Sequence, residues 1–213
     1  MEEPEQHFPT DRLFYMAINF HKNFVTWQSR KAAEDICRNF GFHSAVEIGC
    51  GLGLLSDELK RMRPDADIVL SDLESYRAEV VRVDAHALPE LWTDEFDLVI
   101  CSNCLEHFRQ PADALKEMRR VGRWLWLSWT PWWSPFGGHD FSPLHYLGWR
   151  KGRHHELGRN LFRITVSEAL SMLEEAGWVV NDIRPRYYPW LPFLARWRWT
   201  REWATWNVQV HAF

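Results

Sequence analysis

The spacing of apolar residues switches repeatedly between short continuous runs and a helical period, the pattern of strands alternating with helices. Leu13 to Phe40 reads as one or two amphipathic helices, and Ala45–Ile48 as a first strand. Leu54–Met62 is a helix with Asp57 and Glu58 early, Lys60, Arg61 and Arg63 late, and Pro64 as its stop. That charge order suits the helix dipole. Strands are expected near Asp67–Ser71, Glu79–Val83 and Phe96–Cys101. Pro111 opens a helix to Val121 with Gly122 as its C-cap, and Arg123–Trp129 is a fifth strand. Thr165-Val-Ser-Glu168 has capping-box spacing, and Val166, Ala169, Leu170 and Leu173 form one apolar face ending at Gly177. Trp178–Arg184 then reads as a strand. Trp206, Val208, Val210 and Ala212 alternate as a last strand with one face buried. Alternating strands and helices predict an α/β architecture with a mostly parallel sheet.

Between the first strand and its helix stands Val-Glu-Ile-Gly-Cys-Gly-Leu-Gly-Leu-Leu, with glycines at alternate positions 49, 51 and 53. A glycine loop joining a strand to a helix is the common construction for holding a nucleotide-like cofactor, because backbone then passes close to the ligand. A P-loop needs Lys and Ser or Thr after its glycines; Leu54 and Leu55 stand there instead. The dinucleotide fingerprint fits imperfectly, since Gly53 comes one position early. Glu47 adds a negative charge beside the loop, awkward for a pyrophosphate and favourable for a cation. Asp72 follows the run Ile68-Val-Leu70, the spacing at which a second strand end meets a ribose diol.

Glu47-Ile-Gly-Cys-Gly-Leu-Gly53 resembles the first motif of class I S-adenosylmethionine-dependent methyltransferases of the type 11/12 group. Leu70-Ser-Asp-Leu73, Val83-Asp-Ala-His-Ala-Leu-Pro89 and Phe96-Asp-Leu-Val-Ile-Cys-Ser-Asn-Cys-Leu-Glu-His107 resemble its later motifs, in order. The resemblance implies a Rossmann-like class I methyltransferase fold, a seven-stranded, mostly parallel sheet with helices on both faces, and S-adenosyl-L-methionine as cofactor. It implies that Glu47 and the backbone of Gly49, Gly51 and Gly53 line the methionine side. Asp72 would accept the ribose hydroxyls, Leu73 cover the adenine, Asp84 with Ala85 read its amine edge, and Ser102 and Asn103 sit under the methyl-bearing end. Asn103-x-x-Glu106 also has capping-box spacing, so Glu106 is expected to satisfy backbone amides at a helix start. His107, in the same turn, reads equally as a packed or an active-site histidine.

The 213 residues suit one domain, with residues 1–43 as an N-terminal helical segment, 131–163 as a substrate-loop insertion and 185–213 as an aromatic-rich C-terminal segment. A net charge of −4 gives no reason to expect nucleic acid. Cys37, Cys50, Cys101 and Cys104 lack the density of a disulfide scaffold. Cys101-x-x-Cys104 has no second pair to complete a zinc site, and buried inert thiols are the expectation. The acidic, polar N-terminus is unlike a signal peptide, and no apolar run reaches the ~18 residues that span a bilayer. The chain therefore reads as soluble and cytoplasmic.

After the fifth strand comes Ser128-Trp-Thr-Pro-Trp-Trp-Ser-Pro-Phe-Gly-Gly-His-Asp-Phe-Ser-Pro-Leu-His-Tyr-Leu-Gly148, at the sheet edge where such folds bind ligands. It resembles a segment found in a group of bacterial methyltransferases. His139 or His145 is a candidate general base, with Asp140 orienting or binding the acceptor. The alternative is that these polar groups hold the loop together; no metal is expected from their spacing. Of the 14 tryptophans, Trp124, Trp126, Trp129, Trp132 and Trp133 cluster near this loop and Trp190, Trp197, Trp199, Trp203 and Trp206 near the C-terminus. The basic and aromatic mixture of residues 184–199 suits an anionic bilayer surface, sugar stacking, or a helix packed over the sheet edge. Two functions follow: methyl transfer to an oxygen of a glycan, glycolipid or small metabolite, or a non-catalytic cofactor-fold scaffold for lipid or protein.

Overall fold

The computed structural model describes residues 12–75, 77–134, 162–205 and 207–213, with side chains from residue 23 onward. Helix α1 (Arg12–Asn39) is one continuous helix. It leads into β1 (Ser44–Ile48), α2 (Leu54–Met62), β2 (Asp67–Asp72), β3 (Val80–Arg82) and β4 (Phe96–Ser102). Then come α3 (Pro111–Val121), β5 (Gly122–Trp129), α4 (Val166–Glu175), β6 (Val180–Pro185), the short α5 (Phe193–Arg196) and β7 (Val208–Ala212). The strands form one seven-stranded sheet in the order β3-β2-β1-β4-β5-β7-β6, in which β7 alone runs antiparallel to its neighbours. The predicted fold class is the observed one.

Side-chain alternation divides the interior into two layers. On one face Ala32, Ile36, Leu55 and Leu59 of α1 and α2 pack on Leu98, Ile100 and Trp126. On the other, Leu115, Met118, Val166 and Leu173 of α3 and α4 pack on Val99, Cys101, Leu125 and Leu127. The helix ends follow local chemistry. Thr165 and Glu168 form the reciprocal capping box that their spacing predicts. Gly177, at φ 85°, closes α4, with Gly177 N–H donating to Glu174 O and Trp178 N–H to Leu173 O.

Three expectations are refined. Gly122 caps α3 as expected, its N–H donating to Met118 O, but it does so in an extended conformation (φ −146°). Its requirement is steric, since a Cβ there would lie 2.3 Å from Val99 Cγ2. Strand β7 is buried on both faces, because it lies between β5 and β6 with α1 above it. Gln209 and His211, on the face expected to be open, are buried against Asp35 of α1. Asp35 Oδ2 accepts from Trp126 Nε1 at 2.9 Å and Gln209 Nε2 at 3.0 Å, and lies 2.9 Å from His211 Nε2. Trp206, expected to open this strand, lies outside the described residues. Third, Asn103 and Glu106 make no capping box. Leu105–His107 is a single 3-10 turn with no side-chain cap.

Candidate active site

The carboxyl ends of β1, β2 and β4 and the inner side of α1 enclose a cavity of about 460 Å³, within the range of small-ligand sites. Its wall includes Gln28, Glu47, Gly49, Cys50, Gly51, Asp72, Ser102, Asn103, Cys104, His107 and Arg186. Gly49, Gly51 and Gly53 all adopt positive φ, at 75°, 52° and 72°. A Cβ at Gly49 would lie 2.4 Å from Cys104 Sγ, and one at Gly53 would lie 2.7 Å from Leu70 Cδ2. At Gly51 a Cβ would meet open space. Gly51 therefore presents bare backbone to whatever fills the cavity, while its neighbours allow the loop to fold close against the sheet.

Two carboxylates hold this loop. Asp72 Oδ2 accepts from Gly51 N–H at 2.7 Å, and its Oδ1 from Glu74 N–H at 3.2 Å. A carboxylate has further lone pairs, so Asp72 keeps capacity for a hydroxyl ligand. Glu47 is only 2% exposed, and its Oε2 accepts from the Ser56 hydroxyl at 2.5 Å and the Ser56 N–H at 3.2 Å in the first turn of α2. Burial pushes its carboxyl up to about 7 against the lowering effect of Ser56, with the charges of Asp57 and Asp72 adding to the rise. Near neutral pH it is poised to ionise when a cation enters.

The structure brings Glu47, Gly49, Gly51, Asp72, Ser102 and Asn103 together in one wall. Gly53 shapes the loop from behind. Leu73 is 58% exposed beside the cavity and not part of its wall. Asp84 and Ala85 also stand outside the wall. Asp84 Oδ1 accepts from His86 N–H at 2.9 Å and lies 2.6 Å from His86 Nδ1, and these hydrogen bonds hold its carboxyl below the usual range. His139, Asp140 and His145 lie outside the described residues.

Asn103 takes a left-handed conformation (φ 56°), which turns its side chain away from the following turn. Its Oδ1 accepts from Arg186 Nη1 at 3.0 Å and Asn207 Nδ2 at 2.8 Å. Glu106 is instead buried, with Oε1 accepting from Thr130 N–H at 3.1 Å after β5. The expectation of buried thiols holds for Cys50 and Cys101, whereas Cys37 and Cys104 are partly exposed and Cys104 lines the cavity. Cys101 is buried, and burial together with the charges of Glu47 and Asp72 pushes Cys50 up to about 12. Cys104 is raised by its interaction with Cys101 and by burial.

Sequence reasoning missed Gln28, Cys104 and Arg186 as members of the wall. Arg186 falls in the basic and aromatic stretch 184–199, which the sequence reads as a bilayer surface, a sugar platform or a helix packed over the sheet edge. The signal that marks it is its position just past the end of a strand, immediately after Pro185.

A protein-family model described as a methyltransferase domain matches residues 46–123, the span that holds β1 to β4, the glycine loop and α3. An uncharacterized methyltransferase of Mycobacterium marinum is 35% identical over 133 residues, covering 56% of this chain and 49% of that protein. The chain spans about half the length of most curated relatives it matches. Among solved structures, a methyltransferase of Thermotoga maritima described as a possible histamine N-methyltransferase superposes with a TM-score of 0.61 at 16% identity, covering 93% of each chain. The plantazolicin methyltransferase BpumL, solved with S-adenosylhomocysteine, gives 0.61 at 14% identity, covering 96% of this chain and 91% of that one. The cavity lies at the strand ends where the resemblance places the cofactor, and its carboxylates and bare glycine backbone fit a cationic nucleoside. Residues 46–123 therefore match a methyltransferase domain, and the sheet around them has the fold of solved S-adenosylmethionine-dependent methyltransferases.

Proposed function

We propose that this chain transfers the methyl group of S-adenosylmethionine to an oxygen of a glycan, a glycolipid or another small metabolite. The observation that carries the reading is the cavity itself, where a glycine loop is held by Asp72 and backed by a buried carboxyl, Glu47. The cofactor supplies an electrophilic methyl on a positively charged sulfur, lost as charge when the methyl moves in line to a nucleophile. Glu47 offers that charge a counter-ion, and Asp72 offers acceptor oxygens to the ribose diol. Leu73, beside Asp72, covers the adenine, and Asp84 with Ala85 reads its amine edge from the loop after β3. Ser102 and Asn103 orient the methyl-bearing end. The protein's main task is alignment of donor and acceptor with water excluded.

An alcohol acceptor calls for a base within hydrogen-bond reach. His139 or His145 fills that role in this reading, with Asp140 orienting the acceptor, in the substrate loop of residues 131–163. The acceptor reaches the cavity from an anionic bilayer surface. In support, Trp190, Trp197, Trp199 and Trp203 are 72%, 65%, 89% and 56% exposed. No Asp or Glu stands between Asp182 and Glu202, a stretch that holds Arg196, Arg198 and Arg201. Trp is suited to headgroup depth, and arginine to anionic lipid.

Calorimetry with S-adenosylhomocysteine tests the cofactor reading: wild type should bind and Asp72→Ala should bind much more weakly. No binding by wild type, or equal binding by the variant, would overturn it. His139→Ala or His145→Ala should lose turnover with cofactor affinity intact, and full activity in both would remove the base assignment. Labelled-methyl transfer into extract, sorted into lipid, glycan, protein and nucleic-acid pools, identifies the acceptor class.

A further inference from the structure

Arg186 is 8% exposed and lines the cavity immediately after β6. Its Nη1 donates to Asn103 Oδ1 and to Ser128 Oγ, both at 3.0 Å, and its Nη2 to Gln28 O at 3.4 Å. The guanidinium lies over the Trp126 ring, 5.3 Å from its centroid. All of these partners are neutral, and no carboxylate forms an ion pair with Arg186 among the described residues. A guanidinium carries five N–H donors. The three bonds leave Nε–H, which is buried without a partner, and one Nη2–H. These come from adjacent nitrogens of the planar fork, the arrangement that takes a carboxylate with two parallel hydrogen bonds.

A buried cation without an ion-paired carboxylate is costly unless a ligand supplies the anion. The cavity is also polarised. Glu47 and Asp72 stand at the β1 and β2 ends, whereas Arg186 is anchored at the β4 and β5 ends through Asn103 and Ser128. A carboxylate is repelled from the first side and drawn to the second. We propose that Arg186 is the carboxylate-binding residue of this cavity, engaging an anionic group on the ligand. Two sources share that chemistry: the amino-acid end of the cofactor, or an acceptor that itself carries a carboxylate. The proposal rests on the methyltransferase reading only for the first source.

The test compares wild type, Arg186→Met and Arg186→Lys as full chains, with folding checked by circular dichroism. The probes are S-adenosylhomocysteine, its decarboxylated analogue, 5′-methylthioadenosine, and acetate added in the presence of S-adenosylhomocysteine. If the cofactor supplies the carboxylate, wild type binds S-adenosylhomocysteine at least about tenfold more tightly than the decarboxylated analogue. Arg186→Met abolishes that difference and lowers S-adenosylhomocysteine affinity far more than methylthioadenosine affinity. If the acceptor supplies it, the two nucleosides bind alike, and acetate raises the melting temperature of wild type but not of Arg186→Met. Arg186→Lys keeps the charge without the fork and should show a reduced preference, which provides a readout if Arg186→Met does not fold. Equal binding of both nucleosides in every protein, with no Arg186-dependent acetate effect, overturns the proposal. Failure of wild type to bind any of the three nucleosides overturns the methyltransferase reading instead, and the acetate arm still reports on Arg186.

Discussion

At Glu47, burial and the two bonds from Ser56 act in opposite directions, and burial wins. With its carboxyl pushed up to about 7 from an ordinary 4.5, the native state holds a proton over that interval that the unfolded chain has lost. The contribution of this group to stability therefore falls as pH rises from about 4.5 to about 7 and is level above, a change on the order of 3 kcal/mol. Glu47→Gln should flatten that part of the pH–stability curve measured by urea unfolding; an unchanged slope would exclude Glu47 as its source. A bound cation favours the ionised form, so S-adenosylmethionine binding at pH 6.5 should release protons in wild type and not in Glu47→Gln. Calorimetry in buffers of different ionisation enthalpy measures this. The glycines give a second residue-level contrast. Gly51→Ala meets open space and should fold with a loss of about 1 kcal/mol from its positive φ, yet weaken nucleoside binding. Gly49→Ala drives a Cβ into Cys104 and should lower the melting temperature well beyond that. Equal melting temperatures for the two would contradict this account. Glycine at 49 and 51 was legible in the sequence; which of them needs space, and which presents backbone to a ligand, was not.

At the scale of elements, α1 is pinned to the sheet through Asp35, which gathers Trp126 of β5 with Gln209 and His211 of β7. Burial favours the neutral acid, but the bonds from His211 and Trp126 and nearby positive charge hold this carboxyl below its usual range. Its stabilising effect is therefore present above the ordinary carboxylate pKa and lost as pH falls through the lowered value. Asp35→Ala leaves buried donors unpaired and should cost about 3–5 kcal/mol in urea unfolding; a change under about 1 kcal/mol would show that α1 is held by apolar contacts alone. Nearly every helix and strand was readable from periodicity and punctuation, because Pro64, Pro111, Thr165 and Gly177 act within a few residues of themselves. The double burial of β7 was not readable. Its apolar alternation is that of a one-sided strand, and its polar positions are buried only because Asp35, far away in sequence, supplies the acceptor.

At the scale of the molecule, the described tryptophans range from fully buried to largely exposed, a difference that composition could not show. Trp126 and Trp129 are fully buried in the sheet layers, whereas Trp190, Trp197 and Trp199 stand largely exposed beside arginines. If that face meets anionic lipid, vesicles containing phosphatidylglycerol should co-sediment the protein, and neutral phosphatidylcholine vesicles should not. The triple variant Trp190→Ala, Trp197→Ala, Trp199→Ala should lose the binding while keeping its fold. Binding indifferent to lipid charge or to the three tryptophans would remove the membrane reading.

The sequence by itself determined the order of elements, the glycine loop and the acidic positions after β1 and β2, because these are local signals with fixed spacing. It also carried the resemblance that named the cofactor. Only the tertiary structure decided that Asp72 braces Gly51, that Asn103 faces Arg186 rather than a helix start, and that Arg186 is buried in the cavity with two donors unused. Those facts depend on contacts across 21, 83 and 58 residues of chain. Strand order in the folded sheet creates such contacts, and no local pattern of apolar and polar residues encodes them.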